Sequence, residues 1–179
     1  AKWTQSLDFK IKDARKEEVD YLWFVGDYAS FDPRGQELSR AVARVLREAG
    51  IDYGILYEAE WNSGNDVRRA GEEGLFEMLA EHNVEAIGKA KFRAGIITTD
   101  PHTMNALRFE YAKSGQAYKV AHYSQVLAQL INDGKIQLQR PLKYRGTYHD
   151  PCYLGRYNRV FDPPRRVIEN TGIALVEMP

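Results

Sequence analysis

The strongest signal along the chain is the spacing of its apolar positions. Val19-Asp20-Tyr21-Leu22-Trp23-Phe24-Val25 is rich in β-branched and aromatic residues and stops at Gly26, which predicts a buried strand. Over residues 37–49, Leu38, Ala41, Val42, Val45 and Leu46 recur at helical spacing and Gly50 follows as a stop, which predicts a helix. Residues 51–57 read as a second strand. Asp66 is placed to cap a helix running to about residue 81, with Val67, Leu75, Met78 and Leu79 on one face. Residues 95–99 predict a third strand, and Pro101 suits the first turn of a helix through Leu107 to residue 111. A fourth strand is expected at 118–122, a helix at 124–132 stopped by Gly134, and a short strand at 147–149. A helix opened by Pro163 and Pro164 follows, and then a last strand at 174–178.

Strands alternate with helices throughout, and connections of this length join parallel strands by right-handed crossovers. The expected fold is therefore α/β: an open, mostly parallel sheet with helices on both faces, in Rossmann-like layers. Ligands of such sheets bind beyond the carboxyl ends of the strands. That rule selects Gly26-Asp27-Tyr28, Glu60-Trp61-Asn62-Ser63-Gly64, Asp100-Pro101-His102-Thr103, His122-Tyr123 and His149-Asp150-Pro151-Cys152. Asp27, Asp100, His102, His149 and Cys152 are the candidates for chemistry in this set. His82 falls outside it and reads as a solvated residue near a helix end.

Composition narrows the function classes. The 179 residues suit one domain of ordinary size, and 44% apolar with 28% charged residues is the balance of a folded globular chain. Lys plus Arg and Asp plus Glu number 25 each, so there is no basic excess of the kind a nucleic-acid binder shows. Cys152 is the single cysteine, which rules out an internal disulfide. No apolar run is long enough to span a bilayer and the first residues are unlike a secretory signal. The start without methionine suggests a piece of a longer protein. There is no GxGxxG, Walker, Gly-x-Ser-x-Gly or zinc Cys-x-x-Cys motif, so nothing supports a hydrolase or nucleotide site.

The chain also echoes itself. Gly26-Asp27-Tyr28 followed by Phe31-Asp32-Pro33-Arg34 and a helix is matched later by Pro151-Cys152-Tyr153, then Phe161-Asp162-Pro163-Pro164-Arg165 and a helix. Laid together, Asp27 takes the place of Cys152. Asp-Pro before a helix is also ordinary turn chemistry.

These residues resemble the Cys-Cys-Gly domain family, the cysteine-rich repeat of heterodisulfide reductase subunits and of glycolate-oxidase-type iron–sulfur oxidoreductases. A family repeat has one cysteine after its first strand, then Cys-Cys-Gly, then Cys-Pro-His-Cys. Here these positions are Asp27, then Asn62-Ser63 before Gly64, then Asp100-Pro101-His102-Thr103. The stretches Asp66 to Glu73, Asn105 to Tyr111, His122 to Gln125 and Tyr148 to Arg156 also look like family segments. The resemblance implies three parts: residues 1–18 as a linker from an upstream domain, 19–145 as a first repeat without thiols, and 146–179 as the start of a second repeat.

It further implies a domain of an iron–sulfur electron-transfer oxidoreductase. Electrons would pass between a cluster and a flavoprotein, a thiol or a quinone-linked membrane subunit, in the cytoplasm or at the inner membrane face. No membrane insertion of this segment itself is expected, and no activity of it alone. The degenerate ligand positions Asp27, Asn62, Ser63, Asp100 and Thr103 are oxygen donors or amides, poor substitutes for thiolate. No cluster is expected there as the chain is written, whereas Cys152 is the ligand candidate in the full-length protein.

Other uses of the same residues stay open. Asp27, Asp100 and His102 are either a hard-metal or polar-ligand site of a non-redox binding module, or helix caps filling a vacated pocket. Cys152 is a cluster ligand, a reactive thiol or an inert core residue, with His149 and Asp150 tuning it or acting as turn residues. His102 and His122 are structural histidines or a ligand and proton-relay pair. Trp61 is a pocket wall or loop packing. Arg68-Arg69 and Arg165-Arg166 steer an anionic partner or lie on solvated helix faces.

Overall fold

A computed structural model describes residues 1–137 and 139–178, all but the side chain of residue 114. The chain forms two compact units, Ala1–Ala121 and His122–Pro179. The first carries β1 (Lys12–Asp13), β2 (Val19–Phe24), α1 (Asp27–Phe31), α2 (Pro33–Glu48), β3 (Tyr53–Ile55), α3 (Asn65–Arg69), α4 (Glu73–Gly88), β4 (Phe92–Thr98) and α5 (Pro101–Asn105). Next along the chain come β5 (Val120–His122), α6 (Tyr123–Asn132), β6 (Arg145–Gly146), α7 (Asp162–Asn170) and β7 (Ala174–Leu175).

The fold is α/β, with a five-stranded sheet in the order β1-β3-β2-β4-β5. The registers of β1, β2, β3 and β4 are parallel, with Leu22 opposite Gly54 on one side and Ile96 on the other. Leu22, Trp23 and Phe24 are all fully buried. Successive strand residues point to opposite faces, so both faces of β2 are covered. Trp3 packs edge-on against Trp23, and Trp23 against Tyr53.

Several boundaries differ from the sequence pattern. The segment before Val19, expected only as a linker, contributes edge strand β1 and the buried side chains of Trp3 and Ile11. Helix α2 begins at Pro33 because the Asp32 carboxylate accepts from the N–H groups of Arg34 and Gly35, and an N-cap outweighs a polar first turn. The helix expected from Asp66 to residue 81 is two helices, α3 and α4, parted at Gly71 in a left-handed conformation. Asp66 lies inside the first turn of α3, and Gly64 holds the cap position. The second strand is only Tyr53–Ile55, followed by a 3-10 turn Tyr57–Ala59. After α5 the chain passes through a π-helical stretch, Ala106–Glu110.

In the second unit, residues 147–149 are not a strand. The pairing lies two residues earlier, where β6 meets β7 in parallel with Arg145 opposite Ala174. The last strand is only Ala174–Leu175. Helix α7 begins at the Asp162-Pro163-Pro164 turn.

Helix α2 crosses α1 at Gly35, where an added methyl would lie 2.7 Å from the Tyr28 carbonyl oxygen and 2.9 Å from the Ala29 Cα. Both obstacles are backbone, so they yield only if α1 shifts. Gly35→Ala is expected to destabilise the protein by about 1–3 kcal/mol, measured by denaturant unfolding. A variant as stable as the wild type would show that α1 does not rest on α2 as described.

Candidate functional site

The site begins where β2 leaves the sheet. The N–H groups of Val25 and Gly26 both donate to the Glu60 carboxylate, at 3.0 and 2.7 Å. Burial pushes the Glu60 carboxyl up to about 7; the two N–H donors pull the other way and neighbouring Asp27 adds to the rise. Gly26 has φ +87°, a conformation that favours glycine. It releases the chain into α1, whose first residue is the exposed Asp27.

The loop carrying Glu60 is held from two sides. Asn62 Nδ2 donates to Asp27 Oδ2 at 2.7 Å, while Asn62 Oδ1 accepts from the Gly64 N–H. From α4, Asn83 accepts from the Trp61 N–H and donates to the Asn62 carbonyl and the Tyr111 hydroxyl. Trp61 stacks on His82 with ring centroids 3.6 Å apart. His82 Nε2 is 3.0 Å from the Ala59 carbonyl oxygen. His82 is therefore a half-buried packing partner in mid-helix rather than a solvated helix-end residue, and Trp61 packs on one side while lining a cavity with the rest of its surface.

On the next strand end, Asp100 caps α5 by accepting from the N–H groups of His102 and Thr103. The Thr103 hydroxyl donates to Asp100 Oδ2 at 2.7 Å and lies 3.2 Å from Ser63 Oγ. His102 Nδ1 is 3.1 Å from Asp100 Oδ1. Burial alone would raise the Asp100 carboxyl, but the bonds from His102 and Thr103 outweigh it and leave it lowered. The same bond raises His102. Gly26 packs against this group: a methyl there would lie 3.6 Å from Asp100 Cβ and 3.7 Å from Thr103 Oγ1.

Asp27, Asn62, Ser63, Asp100 and Thr103 therefore share one neighbourhood, and each is hydrogen-bonded within the chain. Among the described residues, no three His, Cys, Asp or Glu side chains are grouped so as to hold a metal ion. Arg68 and Arg69 are engaged with the buried Glu110, and Arg68 also with Glu73, so neither is simply a solvated face.

In the second unit, Cys152 is exposed, which excludes the inert core alternative. It precedes a π-helical stretch, Tyr153–Tyr157. His149 is exposed as well. Asp150 forms a two-bond pair with Arg165 at 2.7 and 2.8 Å, and this pair lowers the Asp150 carboxyl. Arg165 also holds Glu177, and Arg166 Nε is 3.3 Å from Asn132 Oδ1. His122 opens α6, with Nδ1 2.7 Å from Ser124 Oγ and its N–H on Gln125.

The sequence of this chain has counterparts among known proteins. A cysteine-rich (CCG) domain model matches residues 21–108. Residues 21–108 belong to the cysteine-rich domain family. The chain is 43% identical over 94% of its length to a Bacillus subtilis protein named "Probable iron-sulfur-binding oxidoreductase FadF", covering 24% of that protein. It is 38% identical over 90% of its length to the EtfAB:quinone oxidoreductase of Syntrophomonas wolfei, covering 22% of it. It is 34% identical over 96% of its length to a dihydromethanophenazine:CoB–CoM heterodisulfide reductase component of Methanosarcina barkeri, covering 42% of it. The chain thus spans less than half the length of these relatives. No solved structure gives a significant match.

The Bacillus subtilis relative is named as iron–sulfur-binding, and the donor set here can be tested against a cluster. Asp27, Asn62, Ser63, Asp100 and Thr103 present two carboxylates, an amide and two hydroxyls, each already bonded to a neighbour. Clusters are held chiefly by thiolate. These residues do not fit a cluster, and the one cysteine of the chain supplies too few ligands by itself.

The sequence places Glu60 in a strand-end segment but assigns it no role. Its only signal is a carboxylate beside a tryptophan at the end of a strand; its clamp on Val25 and Gly26 requires the fold to be seen.

The titrating groups make the site testable. Glu60 is raised in the folded state, so its contribution to stability is fully present below the ordinary glutamate range and is lost as pH rises to about 7. The loss is on the order of 3 kcal/mol at about 1.4 kcal/mol per pKa unit. Glu60→Gln should flatten the fall of unfolding free energy between about pH 5 and 8, and an unchanged slope would refute the assignment. Asp100→Ala removes the α5 cap at a cost of about 1–2 kcal/mol and should return His102 toward the ordinary imidazole range. NMR titration of the ring reads that shift directly; a His102 that still titrates high would show that Asp100 does not raise it.

Proposed function

We propose that the chain is part of an iron–sulfur electron-transfer oxidoreductase, with residues 19–145 as a first cysteine-rich repeat that carries no cluster and 146–179 opening a second. The carrying observation is the contrast between Asp27 and Cys152. Asp27 starts α1 after β2 and is bonded to Asn62, whereas Cys152 starts a helical turn after β6 and presents an exposed thiol. The order β2, turn, α2, parallel β3 recurs as β6, turn, α7, parallel β7, which supports the repeat. The names of the relatives support the redox class.

In this reading the first repeat is a scaffold or docking module. Residues 1–18 connect it to an upstream domain, and Cys152 is the first ligand position of the second repeat. The electron partner is a flavoprotein, a thiol or a quinone-linked subunit, and the setting is the cytoplasm or the inner membrane face. No described helix is long and apolar enough to cross a membrane. A second reading, a binding module without redox chemistry, draws on the cavity beside Asp27 and Glu60.

The full-length protein, purified without oxygen, should show visible absorbance and an EPR signal on reduction. Cys152→Ser should abolish or shift that signal. A colourless wild-type protein, or a spectrum indifferent to the substitution, would overturn the proposal.

A further inference from the structure

A cavity of about 650 Å³ lies beside the carboxyl end of β2, lined among others by Gly26, Asp27, Phe31, Glu60, Trp61 and Asn62. That volume is in the range of small-molecule sites, which combine apolar walls with a few convergent polar groups. Its walls are aromatic and unusually open: Phe31 is 81% exposed and Trp61 is 44% exposed, although Trp61 is already stacked on His82.

Several donors of the lining are already engaged. Its hydroxyl and amide side chains already donate within the chain: Ser30 to the Gly26 carbonyl, Gln36 to the Ser30 carbonyl, Tyr57 to the Ile11 carbonyl and Asn62 to Asp27. The Gly26 N–H is taken by Glu60. The acceptors are not used up. Among the described residues, Asp27 Oδ1 and the Gln36 amide oxygen accept no hydrogen bond, and Glu60 brings a further carboxyl to the wall. Glu58 also lines the cavity and pairs with Arg15, which it shares with Asp13. Ala1, with its amino group, and Lys2 line the cavity from the start of the chain.

We propose that this cavity binds an organic cation, a guanidinium, amidinium or ammonium group attached to a flat or apolar body. The cation donates to Asp27 Oδ1 and the Glu60 carboxyl, and the body lies against Trp61 and Phe31. Aromatic faces attract cations as well as apolar groups, so the two parts of the ligand are recognised together. A neutral ligand without donors, or an anionic one, would leave Asp27 Oδ1 without a donor and would gain nothing from the carboxylate charge. Such binding needs only the residues of the cavity and is independent of whether the protein transfers electrons.

The matched probes are benzamidine and its neutral counterpart benzamide, titrated into the protein by calorimetry and by tryptophan fluorescence. Benzamidine should bind at least about tenfold more tightly than benzamide, a difference of about 1.4 kcal/mol. Asp27→Asn keeps the hydrogen bond to Asn62 within reach while removing the charge, and should erase that preference. Trp61→Leu, on a different loop, should weaken both probes. Thermal unfolding of each variant confirms that it is folded. Equal affinity for the two probes, or no benzamidine binding at about 10 mM, overturns the proposal. Comparing arginine amide with acetyl-Gly-Arg-Gly-amide then identifies the source. Tighter binding of the peptide assigns the site to an arginine side chain of a partner protein, and tighter binding of the free amino-acid amide assigns it to a small molecule.

Discussion

Everything at the functional end of the first unit depends on two backbone N–H groups that lose their strand partners when β2 ends. A buried N–H without an acceptor costs on the order of 1–3 kcal/mol, and a strand covered on both faces offers no water there. Glu60 resolves this by giving one carboxylate to both Val25 and Gly26. The bond ties the loop after β3 to the end of β2, and the positions of Asp27, Trp61 and Asn62 follow from it. The cost falls on the carboxyl itself. Burial raises it further than two N–H donors lower it, and the net result is a group that titrates at about 7.

The neighbouring polar cluster is stable for a different reason: it is closed. Asp100 accepts from two backbone N–H groups, a hydroxyl and an imidazole. Ser63 and Thr103 meet across the β4 end, while Asn62 links Asp27 to Gly64. Polar groups in a pocket are tolerated when each has a partner, and one left unsatisfied undoes the gain of several. A domain organised in this way gets its local order from internal hydrogen bonds. A domain organised by metal would draw that order from ligation.

The sheet is legible in the sequence because β2, β4 and the helix faces carry strong apolar periods. The edge strand β1 is not, since Lys12-Asp13 has no such period and is ordered by pairing with Gly54 and Ile55. The split between α3 and α4 is hidden for a related reason. The apolar spacing from Val67 to Leu79 runs through Gly71, and only the backbone shows the left-handed turn there. At the site, the strand-end rule finds Asp27, Asn62, Ser63, Asp100 and Thr103, all of which the fold brings together. It gives no role to Glu60, because a carboxylate that bonds backbone amides 34 and 35 residues away leaves no local pattern. The pairing of Asp150 with Arg165 is equally invisible, although each residue stands out separately in the sequence.

Asp27 and Cys152 differ in what their side chains demand. Both begin a helical turn after a strand, so the backbone treats them alike and the side chain decides what each position can do. One oxygen of the Asp27 carboxylate takes the Asn62 amide donor. A thiolate that is to hold iron needs further thiolates, and these 179 residues contain none besides Cys152. For Cys152 to act as a ligand, its partners must be supplied by other residues of the full-length protein. Asp27 carries no such requirement. Among the described residues, its second oxygen accepts no hydrogen bond and lies on the lining of a cavity, so the chemistry available to the first position is recognition of a donor rather than ligation of a metal.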